Sequence, residues 1–136
     1  MYEQIKIAFG METEDLLNKD HFGNSVFFRI AEFNLTKNIL SLTEKIPNPH
    51  RDHGEKSAGH GEEAKAGGIA SLLPGVQILA GHAMGTNAAK MKQKYHILLF
   101  KNLDFSAVRN SIQANPGKIR EFVHQEEKKI LRLEEP

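Results

Sequence analysis

Residues 47 to 68, PNPHRDHGEKSAGHGEEAKAGG, hold two Pro, five Gly and three His, with almost nothing apolar to bury. A segment of that composition does not enter a core. It therefore divides the chain into two apolar blocks that must fold together around it. The two blocks differ in periodicity. The first reads as a β-meander, and the second as strands alternating with helices.

In the first block Ile5, Ile7 and Phe9 alternate with Lys6 and Ala8, predicting a strand that ends in a turn at Gly10. Residues 11 to 24 are polar and predict a loop that contains His21-Phe22-Gly23-Asn24. The runs VFFRIAEF (Val26 to Phe33) and LTKNILSLTEKI (Leu35 to Ile46) predict an antiparallel hairpin turning within Asn34 to Asn38. In the second block a helix is expected to start within Glu62–Ala66, to run through Ile69, Ala70, Leu72 and Leu73, and to stop at Pro74-Gly75. Val76 to Ala80 then predicts a buried strand, Gly81-His82-Ala83-Met84-Gly85 a turn, and Thr86 to Lys94 a helix. His96 to Phe100 predicts the next strand. Asp104 to Gln113 predicts a helix with Phe105, Val108 and Ile112 on one face, broken by Asn115-Pro116-Gly117. Residues 118 to 133 predict a last amphipathic helix, with Ile119, Phe122, Val123, Ile130 and Leu133 near one face.

The resulting order, β-β-β-α-β-α-β-α, predicts a three-layer α/β fold: a mixed five-stranded sheet in the order 3-2-1-4-5, with helices on both faces. The expected organisation is one domain over residues 1–117. An extra C-terminal amphipathic helix over 118–136 then packs on that domain or on a partner. A chain of 136 residues suits a single core that buries about two-thirds of its unfolded surface.

This topology gathers the histidines. With strand 2 reversed, the loops leaving strands 1, 3 and 4 emerge at one edge, the edge where open α/β sheets hold ligands. Those loops carry His21, then His50, His53 and His60, then His82, so five of the seven histidines converge there. His96, at the start of strand 5, and His124, on the last helix, fall elsewhere and read as structural or surface residues.

Composition limits the chemistry of that edge. With no Cys there is no disulfide, no thiolate nucleophile and no Cys-held zinc or iron–sulfur site. Eighteen Lys+Arg against 17 Asp+Glu leave a formal charge of +1, without the basic excess that a nucleic-acid or acidic-membrane surface needs. The longest wholly apolar run, Ile97-Leu98-Leu99-Phe100, is far short of the roughly 20 residues that span a bilayer. A cytoplasmic protein is expected. No Gly-x-Ser-x-Gly elbow or His-Glu-x-x-His helix is present. The expected strands 1 and 4 also lack the acids that two-metal hydrolysis requires, so a non-catalytic protein is expected.

Each candidate has two readings. His50 and His53 have an i, i+3 spacing that, with His60, could hold a divalent ion, although a Gly-rich loop can carry three His without function. His21-Phe22-Gly23 is either a ligand-facing element or a turn whose Phe plugs the core. Gly81 and Gly85 flank a strand-to-helix turn that could meet an anion through backbone amides, or that needs glycine only for its φ angle. Met84 is a soft-metal ligand or a core side chain.

Together these elements resemble the dinitrogenase iron–molybdenum cofactor biosynthesis proteins. The resemblance rests on the His21-Phe22-Gly23 loop followed by the aromatic strand Val26-Phe27-Phe28. It also rests on the Gly/His-rich segment leading into Ile69-Ala70-Ser71-Leu72-Leu73, and on Gly75-Val76-Gln77-Ile78-Leu79-Ala80-Gly81 with Gly85 and a small-residue helix beyond. It covers roughly residues 4 to 114. It implies a ribonuclease-H-like fold without nuclease activity, which carries or binds an anionic iron–molybdenum-type sulfide cluster, or its precursor, reversibly. The implied partner is a cofactor-assembly or acceptor protein, and the chain is expected to be a monomer or weak homodimer. By position, His21 would contact the cofactor and Gly81 and Gly85 would shape the anionic contact. The role of His82 comes from the geometry above. The candidate binding set is His21, Phe22, Gly23, Gly81, His82, Met84 and Gly85. The alternative reading is a zinc- or nickel-binding sensor or interaction module built on His50, His53 and His60.

Overall fold

The computed structural model describes residues 4–49, 69–85, 94–125, 127 and 130–133. They form a mixed sheet of six strands: β1 (Gln4–Met11), β2 (Phe27–Asn34), β3 (Ile39–Pro47), β4 (Ile78–Gly81), β5 (His96–Leu99) and β6 (Ile130–Arg132). Their order across the sheet is β3-β2-β1-β4-β5-β6. Strand β2 is antiparallel to both β1 and β3, while β1, β4, β5 and β6 run parallel. The loops leaving β1, β3 and β4 therefore share one edge.

The expected five-stranded sheet is corrected to six, and the expected helix over 118–133 is corrected with it. Helix α1 (Phe105–Ala114) is followed by α2 (Pro116–Val123), where the helix stops and the chain returns as β6. The cause lies in the sequence His-Gln-Glu-Glu-Lys-Lys at 124–129, which offers no apolar residue with which to continue a buried stripe. Ile130 and Leu131 instead pair with Ile97 and Leu98, and Leu133 donates its backbone N–H to the Leu99 carbonyl at 3.0 Å and is buried. Proline at the first position of α2 fits its fixed φ and missing N–H.

Both faces of the central strands are covered, while β3 at the edge is largely exposed. Ile5, Ile7, Phe9, Ile78, Ala80 and Leu98 belong to one buried cluster with Phe105, Val108 and Ile112 of α1 and Ile119 and Phe122 of α2. Their neighbours Ala8, Leu79, Ile97 and Leu99 belong to a second cluster, with Phe28 and Ile30 of β2 and Ile69, Leu73 and Tyr95. His96, the first residue of β5, is buried with its ring centroid 4.9 Å from that of Phe122, and His124 is exposed at the end of α2. Residues 69–72 are helical; the expected helix over 86–94 lies, but for Lys94, outside the described residues. Among the described residues no helix is long and apolar enough to cross a membrane.

The β2–β3 hairpin turns as its Asn residues dictate. The Lys37 N–H donates to Asn34 Oδ1 at 2.9 Å, and Asn38 takes a left-handed φ of 59°, which its short polar side chain tolerates. One register shift between Ile30 and Ala31 leaves Thr43 as an extra residue on β3, a β-bulge on an edge strand.

Burial pushes the Tyr95 phenol above its ordinary value of 10.0. The unfolded chain then releases this proton first, so stability should fall as pH rises past 10.0 and continue falling until the folded phenol titrates. Tyr95→Phe is expected to flatten that alkaline decline, read as urea midpoints across pH.

Candidate functional site

The polar loop after β1 is laid back onto the strand ends rather than projecting from them. Asn18 N donates to Gly10 O (2.9 Å), Leu17 N to Leu103 O (2.8 Å), Val26 N to Met11 O (2.9 Å) and Phe105 N to Asp15 O (2.8 Å). Farther out, the Glu14 carboxylate is paired with Arg29 of β2 and Lys45 of β3, whose cationic groups lie over the Phe27 ring. The Lys45 hydrogen bond is the main cause that holds the Glu14 carboxyl below its ordinary range, helped by the charge of Arg29. This ion pairing fixes the outer part of the loop on the hairpin.

At the inner end Phe22–Asn24 forms a single 3₁₀ turn. Phe22 is only 2% exposed, and its ring lies 5.0 Å from that of Phe28. A Cβ built on Gly10 would lie 3.0 Å from that ring and 2.4 Å from Ser25 Oγ, and one on Gly81 would lie 3.4 Å from the ring. Gly10 is therefore not the turn that the sequence suggested. It continues β1 opposite Phe28 and is glycine because Phe22 and Ser25 occupy the space of a side chain. Of the two readings of His21-Phe22-Gly23, the turn whose Phe plugs the core describes Phe22, and Gly23 is buried as well, while the His21 side chain is 56% exposed.

The turn docks on the residues after β4. Phe22 N donates to Ala83 O at 2.7 Å, and His21 and Ala83 form a parallel β-bridge. The His21 imidazole lies against Gly85. A Cβ there would come within 2.4 Å of its Cγ and Nδ1, and Gly85 has a φ of +74°. Gly85 consequently needs glycine twice over, for backbone conformation and for contact. Asp20 Oδ1 accepts the His21 backbone N–H at 2.8 Å and stands 3.9 Å from His21 Nε2, while Asn24 Nδ2 donates to Asp20 Oδ2 at 3.1 Å. His82, half-buried, places Nδ1 2.9 Å from the Phe100 carbonyl oxygen. Met84 is buried in the cluster that contains Phe22 and Leu79, so its side chain forms part of the floor beneath the site.

The structure thus brings together His21, Phe22, Gly81, His82, Met84 and Gly85, with Gly23 buried in the same turn as Phe22. His50, His53 and His60, the candidate divalent-metal ligands, lie outside the described residues. Among the described residues there is no group of three or more His, Asp or Glu placed to hold a metal ion.

Sequence reasoning missed Asn48 and Asn18. Asn48, buried, donates through Nδ2 to both Gly23 O (3.0 Å) and Ser25 O (2.9 Å), tying the end of β3 to the His21 turn. Asn18 Nδ2 donates to His21 O at 3.0 Å. An asparagine between two prolines reads as loop polarity, and nothing in its neighbourhood signals burial. Asn48→Ala would leave two carbonyls without these bonds. It is expected to cost about 1–3 kcal/mol, read as a lower urea midpoint at unchanged m-value.

The chain matches the family described as dinitrogenase iron–molybdenum cofactor over residues 3–115. It belongs to that family. The match covers every residue of the site just described and ends between α1 and α2, before β6. No curated protein and no solved structure matches the chain. Family membership ties the protein to the iron–molybdenum cofactor in general terms.

Proposed function

We propose that this protein binds an anionic molybdenum- or iron-containing sulfide cluster, or its precursor, without transforming it. The cluster is held reversibly where the His21 turn meets residues 81–85 and is passed to an assembly or acceptor protein. The observation that carries this reading is the contact of the His21 ring with Gly85, locked by the Phe22 N–H to Ala83 carbonyl bond. It sets an exposed imidazole against the residues that follow β4, at the edge where open α/β sheets hold ligands.

The donors suit such a cargo. The site offers two imidazoles and no thiol, since the chain has no Cys. A cluster brings its own sulfides and needs few protein ligands. A protein thiolate would compete with those sulfides, whereas imidazole holds metal without exchanging sulfur. Under the same reading the sheet is a ribonuclease-H-like fold used without nuclease chemistry. The absence of acidic residues from β1 and β4 supports this, because two-metal hydrolysis draws its ligands from carboxylates.

Anaerobic titration of the full chain with isolated iron–molybdenum cofactor, and in parallel with a molybdenum–copper sulfide cluster, tests the proposal. One of the two should bind stoichiometrically, and His21→Ala should weaken that binding by about tenfold or more. If neither cluster binds, or if His21→Ala binds as wild type does, the proposal is wrong.

A further inference from the structure

We infer that His82 coordinates a metal atom of the cargo through Nε2, with the Phe100 carbonyl as the group that orients it; the inference rests on the function proposed above. A carbonyl oxygen only accepts hydrogen bonds, so the 2.9 Å approach of His82 Nδ1 requires the proton to sit on Nδ1. The lone pair of the neutral ring is then on Nε2, the nitrogen that points away from that bond. This is the arrangement of metal-binding imidazoles, in which one ring nitrogen donates to a carbonyl or carboxylate while the other faces the metal.

The orienting carbonyl is itself fixed. Phe100 is buried, and its N–H donates to the Gly81 carbonyl at 2.9 Å, so the residue before His82, the last of β4, is tied to the residue that follows β5. Among the described residues the hydrogen bond of the His82 ring is this one through Nδ1. The next residue, Ala83, takes the bond from Phe22, which sets His82 one residue from the docked His21 turn. His21 is placed differently, with its ring on Gly85 and its Nε2 3.9 Å from a carboxylate oxygen. The two histidines therefore have separate tasks. His82 offers a lone pair to metal, and His21 lies against the cargo with a carboxylate at its back. Because Nε2 of the neutral His82 ring already lacks a proton, coordination forms one metal–nitrogen bond and releases no proton from the ring.

Two measurements on the full chain test this. In the cluster-free protein, long-range 1H–15N correlation spectra should show His82 as the Nδ1–H tautomer, and an Nε2–H tautomer overturns the inference. In the second, isolated iron–molybdenum cofactor is added anaerobically to wild type and to His82→Asn. Asparagine carries an amide nitrogen near the position of Nδ1 and so keeps a donor for Phe100 O, but it has nothing at Nε2. The variant should unfold at the wild-type temperature, bind the cofactor about tenfold or more weakly, and lose one nitrogen coupling from the pulsed EPR spectrum of protein labelled with [15N]histidine. Unchanged affinity or an unchanged set of couplings overturns the role of His82 while leaving the proposed function standing. If wild type takes up neither this cofactor nor the molybdenum–copper sulfide cluster, the proposed function fails and this inference fails with it.

Discussion

Phe22→Ala is expected to destabilise the protein by about 3–5 kcal/mol, the range for removing a buried aromatic ring from a packed core. The ring is 2% exposed, stacks on Phe28, and fills the space above Gly10 and Gly81. Those two glycines have no side chains with which to fill the cavity. They are backbone of adjacent strands, fixed by their ladder bonds, so the site cannot collapse. Typical domain stability is about 5–15 kcal/mol, so this one substitution removes a large part of it. Phe22→Leu keeps much of the volume and should cost clearly less. Urea denaturation of the three proteins measures the series, and a Phe22→Ala loss under about 1 kcal/mol would show that the ring is not the plug described here.

Gly85→Ala acts on the site more than on the fold. A residue with a side chain at φ +74° costs about 1–2 kcal/mol. Its Cβ would also stand 2.4 Å from the His21 ring, closer than any tolerated contact. The ring is exposed on its other side, so it swings outward and the chain still folds. Cluster affinity should then fall at least as far as in His21→Ala, because the imidazole is displaced. A double-mutant cycle separates the two costs. With His21→Ala already present there is no ring to strike, so the added loss from Gly85→Ala should shrink, with a coupling of about 0.5–3 kcal/mol between the sites. Strict additivity would refute the contact.

Much of this architecture is legible in local patterns. Alternation in residues 5–9 and 26–46, the short apolar runs at 76–80 and 96–100, and the i, i+3, i+7 stripe of Phe105, Val108 and Ile112 each report a face buried against its neighbours. The sixth strand is not legible in that way. Ile130 and Leu133 fall in helical register with Ile119 and Phe122 only if the polar run at 124–129 is helical too, and such a run reads as readily as a solvated helix face as a break in the stripe. Gly10 misleads for a related reason. Glycine in a polar context signals a turn, while its actual cause is the ring of Phe22, twelve residues on. At the site, the His-Phe-Gly element and the Gly81–Gly85 turn stand out in sequence. What joins them, the His21 ring on Gly85, is a contact across 64 residues, and Asn48 secures it from a third element. Such through-space fits leave no periodic trace.

The short strand β6 has a consequence for how the molecule behaves in company. Every residue of β5, His-Ile-Leu-Leu, is buried, and its outer rim of amides and carbonyls is occupied only because residues 130–132 return to it. Without that return, a greasy strand with an open rim would be an invitation to strand exchange or filament growth between copies. The covering strand is a poor template by comparison, since it has three residues, partly exposed, and ends in Arg132. The family match stops at residue 115, so this protection is supplied by residues outside the match. The tail works as a seal on the sheet, and a chain trimmed to the family boundary would bare the β5 rim while keeping every residue of the candidate site.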